Sequence, residues 1–180
     1  LEPRDYRSLY DMLSFALYQC KGPVAIRYPR GGVDTRFRPI AGYSNLRPPL
    51  PNAELLHAGS DVTLAAAGSM VLPSLAAALR LEEEGIHCEV IDVRAVKPLD
   101  ETLIMRSALS TGRLLTVEES STYGGLGMTL SALISTRDEY RDIRQRILAV
   151  GDHFVPQADA AASLRREQLD VDGICSAIRE

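Results

Sequence analysis

Along the first twenty residues the apolar positions recur at steps of three and four. Tyr6, Leu9, Met12 or Leu13, and Ala16 or Leu17 stand on one stripe with charged residues between them. That spacing predicts an amphipathic helix over 5–19, stopped by Lys21-Gly22-Pro23. Val24-Ala25-Ile26-Arg27-Tyr28 reads as a short strand closed by Pro29, which has no N–H to give to a ladder. Over 31–51 the period vanishes. Gly31, Gly32, Pro39, Gly42, Pro48, Pro49 and Pro51 mark a linker.

From about residue 53 strand and helix patterns alternate. Strands are expected at 62–67, 88–93, 114–118 and 147–150. Helices are expected at 71–84, with Leu72, Leu75, Ala76 and Leu79 on one face, and within 98–109, 126–134, 158–167 and 171–179. Gly85 ends the first of these, and Asp100 stands where it can cap the second. Such alternation predicts an α/β domain, a mostly parallel sheet with helices on both faces and right-handed crossovers. The organisation expected is 1–30, a 31–52 linker, and a domain over 53–180. One helix and one strand cannot bury a core alone. The first piece is therefore expected to belong to a domain whose other elements lie upstream of Leu1, and the chain to have been cut from something longer.

Composition narrows the function classes. A net charge of -4 offers no basic excess for nucleic acid. The longest apolar run, 62–68, is strand-sized and far short of a membrane span. Cys20, Cys88 and Cys175 are odd in number and widely spaced, as expected for reduced, mostly buried thiols in a cytoplasmic protein. His57, His87 and His153 lack metal-ligand spacing, so no metal site is expected.

Four segments could carry chemistry. In Ile26-Arg27-Tyr28-Pro29-Arg30-Gly31-Gly32, Arg30 stands at the carboxyl end of a strand, where α/β sheets collect ligands. Its guanidinium fork suits a phosphate or carboxylate; a structural ion pair is the equal alternative. Gly124-Gly125-Leu126-Gly127 lies between a strand and a helix, the place of a phosphate-cradling turn. It lacks the dinucleotide spacing, so close helix–strand packing is favoured. Glu118 and Glu119, adjacent on a strand, point to opposite faces and make no acid–base pair. The charges of Asp92-Val93-Arg94-Ala95-Val96-Lys97-Pro98-Leu99-Asp100 read as a salt-bridge set fixing a strand exit, and His153 as a surface hydrogen-bonding residue. No nucleophile–His–acid set is visible, so no catalytic residue is assigned in this chain.

In order along the chain, several segments together resemble 1-deoxy-D-xylulose-5-phosphate synthases of the transketolase-like, thiamin-diphosphate-dependent superfamily. These are Gly22 to Gly31, Val90-Ile91-Asp92 through Asp100, Val117-Glu118-Glu119 with Gly124 to Gly127, and Phe154-Val155-Pro156-Gln157 with the tail Leu169 to Ile174. The resemblance implies a transketolase C-terminal-domain fold over 53–180, with 1–30 the end of the pyrimidine-binding domain. It implies an enzyme that joins pyruvate to glyceraldehyde 3-phosphate with loss of carbon dioxide, feeding isoprenoid, thiamin and pyridoxal phosphate synthesis. Thiamin diphosphate and Mg²⁺ would carry the hard step, in a cytoplasmic homodimer. The Gly-Asp-Gly motif for diphosphate and metal, and the Glu that activates the cofactor, are not matched here. The fragment alone is thus expected to be inactive and to bind no cofactor, while Arg30 would hold the substrate phosphate. Ser120-Ser121-Thr122-Tyr123 and Asp159-Ala160-Ala161-Ala162 depart from the family pattern. They keep open a transketolase half-subunit or a 2-oxoacid dehydrogenase β-type component. A non-catalytic anion- or partner-binding module is the alternative of another class.

Overall fold

A computed structural model describes residues 1–29 and 49–180. Arg30 and most of the expected linker therefore lie outside the described residues. Five strands, β1 (Glu54–His57), β2 (Val62–Ala66), β3 (Cys88–Asp92), β4 (Arg113–Ser121) and β5 (Arg144–Val150), form one sheet in the order β1-β3-β2-β4-β5. β2 is parallel to β3 and β4, and β4 to β5; only β1 runs antiparallel to its neighbour β3. The expected fold class holds. β1 itself was not legible, because four residues are too short to display a period.

Helices cover both faces. α2 (Val71–Glu82) and α6 (Val171–Arg179) bury Val71, Leu75, Leu81 and Ile174 against Leu64, Val90 and Val117. On the other face α3 (Glu101–Thr111) and α4 (Leu126–Thr136) bury Ile104, Met105, Leu126 and Leu130 against Ala65, Ile91 and Leu114. β2 is covered on both sides and is buried at all five positions, which is why its sequence reads as an unbroken apolar run. α5 (Ala160–Arg166) is a short surface turn joined to the first core through Leu164. Its N-cap, like those of α3 and α6, is an aspartate: Asp100, Asp159 and Asp170 accept from the N–H of Leu103, Ala162 and Gly173.

Three expectations need correction. α2 turns a different face inward. Ser74, Ala77, Ala78 and Leu81 are buried and Leu79 is half exposed, because the small residues let the helix sit close on the sheet. α1 (Tyr6–Tyr18) carries two apolar stripes rather than one. Met12 and Ser8 are buried, whereas Tyr6, Tyr10, Leu13 and Leu17 face outward. Residues 24–28 form no strand; the Leu1 amino group donates to the Ala25 carbonyl and Arg27 N–H donates to the Leu1 carbonyl.

All three thiols are free. Cys88 and Cys175 are buried, and burial pushes the Cys88 thiol up to about 12. No described helix is long and apolar enough to cross a membrane.

Candidate functional site

In an open α/β sheet the ligand crevice opens where neighbouring strands send their connections to opposite faces. Here β2 and β4 form one such pair. The chain leaves β2 toward α2 on one face and leaves β4 toward α4 on the other. The loop after β2 turns through Gly68, whose φ of 54° is the left-handed region that glycine enters without strain.

This crevice is occupied by the chain's own first residues. Glu2 N–H donates to the Arg94 carbonyl at 2.9 Å. The Glu2 side chain lies against Gly68, so close that a Cβ there would meet its Oε2 at 3.3 Å. Arg27 reaches over from the extended segment, donates to the Glu119 carbonyl, and stands 3.5 Å from Glu2 Oε1. Ser69 Oγ donates to Glu119 Oε2 at 2.5 Å. Burial pushes the Glu2 carboxyl above its usual range, with Glu118 adding in the same direction and Arg27 opposing both. The cleft that remains beside Arg27, Pro29 and Ser69 holds about 60 Å³. That admits water, well below the roughly 300 Å³ of a small-molecule site.

A second charge cluster lies at the exit of β3. Arg4, immediately before the α1 cap, is 5% exposed. Its Nη1 donates to Glu54 Oε2 on β1 at 2.8 Å and to Asp92 Oδ2 on β3, and its Nε is 3.6 Å from Asp5. Asp92 also accepts from the Arg94 N–H at 3.0 Å. Arg94 has a left-handed φ of 58° and donates Nη1 to the Asn52 carbonyl at 3.0 Å. A buried arginine in that conformation is held by its surroundings. The sequence placed a salt-bridge set among the charges of 92–100 at this exit; of these Asp92 enters an ion pair, while Asp100 caps α3. The cation paired with Asp92, however, is Arg4, eighty-eight positions away, a partner that no local spacing could reveal.

Burial pushes the Asp92 carboxyl up to about 6, the attraction of Arg4 and Arg94 offsetting only part of that cost. A folded-state value above the ordinary 3.8 means that folding favours the protonated acid. The Asp92 contribution to stability is thus fully present below about pH 4 and is lost as the pH rises through about 6. Glu84, Glu167 and Asp61, held low by Arg179, His153 and the His87 N–H respectively, have the opposite sign. Urea unfolding at intervals from pH 4 to 7 is therefore expected to show a falling component that Asp92→Asn abolishes. Identical pH slopes in the two proteins would contradict it.

The glycine turn between β4 and α4 is an anion cradle filled from within. Glu118, 3% exposed, accepts from the N–H of Leu126 and of Gly127, each at 2.8 Å, and from the Ser120 hydroxyl. A carboxylate thus meets the positive end of the helix where a ligand phosphate would sit. Close packing operates as well: a Cβ on Gly127 would meet Ile147 at 2.6 Å and Thr116 at 2.8 Å. Glu118 and Glu119 do turn to different partners. His153 bonds Glu167 at 2.9 Å across the surface. Among the described residues no group of His, Cys, Asp and Glu is arranged to hold a metal ion.

The comparisons agree with this architecture. Residues 52–174 match the family model for the transketolase C-terminal domain. The chain belongs to that family. It is 41% identical, over 98% of its length, to a 1-deoxy-D-xylulose-5-phosphate synthase of Thermomicrobium roseum, and covers 27% of that protein. Against the enzyme of the same name from Chlorobium luteolum the identity is 36% over the whole chain and 28% of the relative. The chain thus spans little more than a quarter of the curated relatives it matches. Among solved structures, a split-gene transketolase described as an inactive β4 tetramer superposes with a TM-score of 0.78 at 32% identity, over 98% of this chain and 55% of that one.

Proposed function

We propose that this chain serves as the C-terminal part of a 1-deoxy-D-xylulose-5-phosphate synthase. Such an enzyme condenses pyruvate with glyceraldehyde 3-phosphate, releases carbon dioxide, and supplies isoprenoid, thiamin and pyridoxal precursors. The observation that carries the reading is the identity of 41%, which covers 98% of the chain and so reaches well ahead of the matched domain at 52–174. On this reading residues 1–30 end the pyrimidine-binding domain, 31–52 link it to the C-terminal domain, and Arg30 holds the substrate phosphate. The protein works as a cytoplasmic homodimer.

Thiamin diphosphate and Mg²⁺ are the cofactors of that activity, and the cofactor ylid stabilises the carbanion left by decarboxylation. The described residues do not fit either group. The helix end best placed for a diphosphate is filled by Glu118, and no metal-ligating set is present among them. The role left to this chain is to support domain packing. The β2–β4 crevice takes the segments at 1–5 and 25–29 instead of a ligand, and so seats the neighbouring domain on the sheet.

The isolated 180-residue chain is expected to show no heat of binding with thiamin diphosphate and Mg²⁺ and no decarboxylation of pyruvate. Turnover by the purified chain would overturn the assignment. A transketolase half-subunit is the second reading, favoured by the superposition on the split-gene protein. The two separate on substrate, since a transketolase uses ketose phosphates without loss of carbon dioxide.

A further inference from the structure

We propose that Arg4 is a positioning residue, a buried charge that selects one seating of residues 1–29 on the sheet and contributes little net stability. The inference deepens the proposed function, in which those residues belong to the neighbouring domain and this joint fixes how that domain sits.

The argument rests on geometry. The Arg4 side chain is fully buried between its own segment and two strands of the other. It meets Glu54 from β1 and Asp92 from β3, the latter also fully buried, with Asp5 at its Nε. Arg94 faces Asp92 from the strand exit. Two cations and two strand carboxylates thus nearly cancel where the Arg4 and Asp92 side chains are fully buried. Burying such a set loses as much solvation as the pairing returns, and apolar side chains of similar volume are often as stable. What an ion cluster adds is direction. One nitrogen, Nη1, bonded to carboxylates on two different strands tolerates neither a slide nor a rotation of its segment.

Apolar contact provides no such restriction here. α1 buries Met12 but leaves Tyr6, Tyr10, Leu13 and Leu17 exposed, and Met12 belongs to neither apolar core of the sheet. Arg4 stands one residue before the Asp5 cap, at the point that sets the helix rotation. The nearby bonds of Glu2 to the Arg94 carbonyl and of Arg27 to the Glu119 carbonyl hold the same segments but do not fix that rotation.

Hydrogen exchange and carboxyl NMR on the full chain test this. In Arg4→Met the α1 amides are expected to exchange roughly tenfold faster or more, while those of β2 and β4 stay within about twofold. The Asp92 titration should move above about 6, its present value. Arg4→Lys keeps the charge on a more flexible stem and should recover part of the α1 protection. The variant Arg4→Met/Glu54→Leu/Asp92→Asn removes Arg4 with both strand carboxylates it pairs with, and keeps an acceptor for the Arg94 N–H. It should lie closer to the parent in thermal midpoint than Arg4→Met does, yet lose α1 protection as far as Arg4→Met. Unchanged α1 exchange in Arg4→Met would overturn the proposal. So would native α1 protection with a single set of resonances in the triple variant. Neither readout needs turnover, so absence of synthase activity in the complete enzyme would refute the functional reading and leave this one standing.

Discussion

Glu118→Leu is expected to destabilise the chain by about 3 kcal/mol in urea unfolding at pH 7, a fall in thermal midpoint of about 6–12 °C for a domain of this size. The buried N–H groups of Leu126 and Gly127 each give their bond to the Glu118 carboxylate. Leucine fills the space but accepts nothing, and a buried donor left without an acceptor costs about 1–3 kcal/mol. The helix end also loses the negative charge that offsets its dipole. Glu118→Gln keeps one acceptor oxygen and turns an NH₂ toward a donor, so it should fall between the two. A loss below about 0.5 kcal/mol for the leucine variant, the level of an ordinary surface change, would mean that α4 does not depend on its internal anion.

Gly127→Val should cost a similar amount, about 3 kcal/mol, for a steric reason. Its Cβ would lie 2.6 Å from Ile147 and 2.8 Å from Thr116. Ile147 is on β5 and Thr116 on β4, so the start of α4 must lift off two strands at once. Ile147→Ala opens that space. The double variant is expected to be more stable than the sum of the single losses by about 1 kcal/mol, the coupling of residues in contact. Strict additivity would show that the helix start yields without touching Ile147.

The parts of the fold that the sequence disclosed are those in which local pattern and global packing agree. The buried run of β2, the Asp100 cap and the glycine stop after α2 were each legible because their causes lie within a few residues. The face of α2 was misjudged because leucine spacing was weighed above Ala77 and Ala78, which are fully buried. The candidate site was legible only in halves. The glycine turn could be read as an anion cradle or as close packing, and both hold, since Glu118 eight residues upstream of Leu126 supplies the anion. Arg4 carried no signal. An arginine before an aspartate cap reads as solvated surface, and only the tertiary approach of β1 and β3 makes it a buried cation. The resemblance over 22–31 pointed to Arg30, whose placement lies outside the described residues. The described neighbour that does reach the crevice is Arg27.

Expressing the whole open reading frame that contains this sequence, and supplying pyruvate, glyceraldehyde 3-phosphate, thiamin diphosphate and Mg²⁺, puts the assignment to its most direct test. The account expects one carbon dioxide released for each 1-deoxy-D-xylulose 5-phosphate formed, with neither substrate consumed to product without the other. Transfer between ketose and aldose phosphates without release of carbon dioxide, or no reaction with either substrate set, would contradict it.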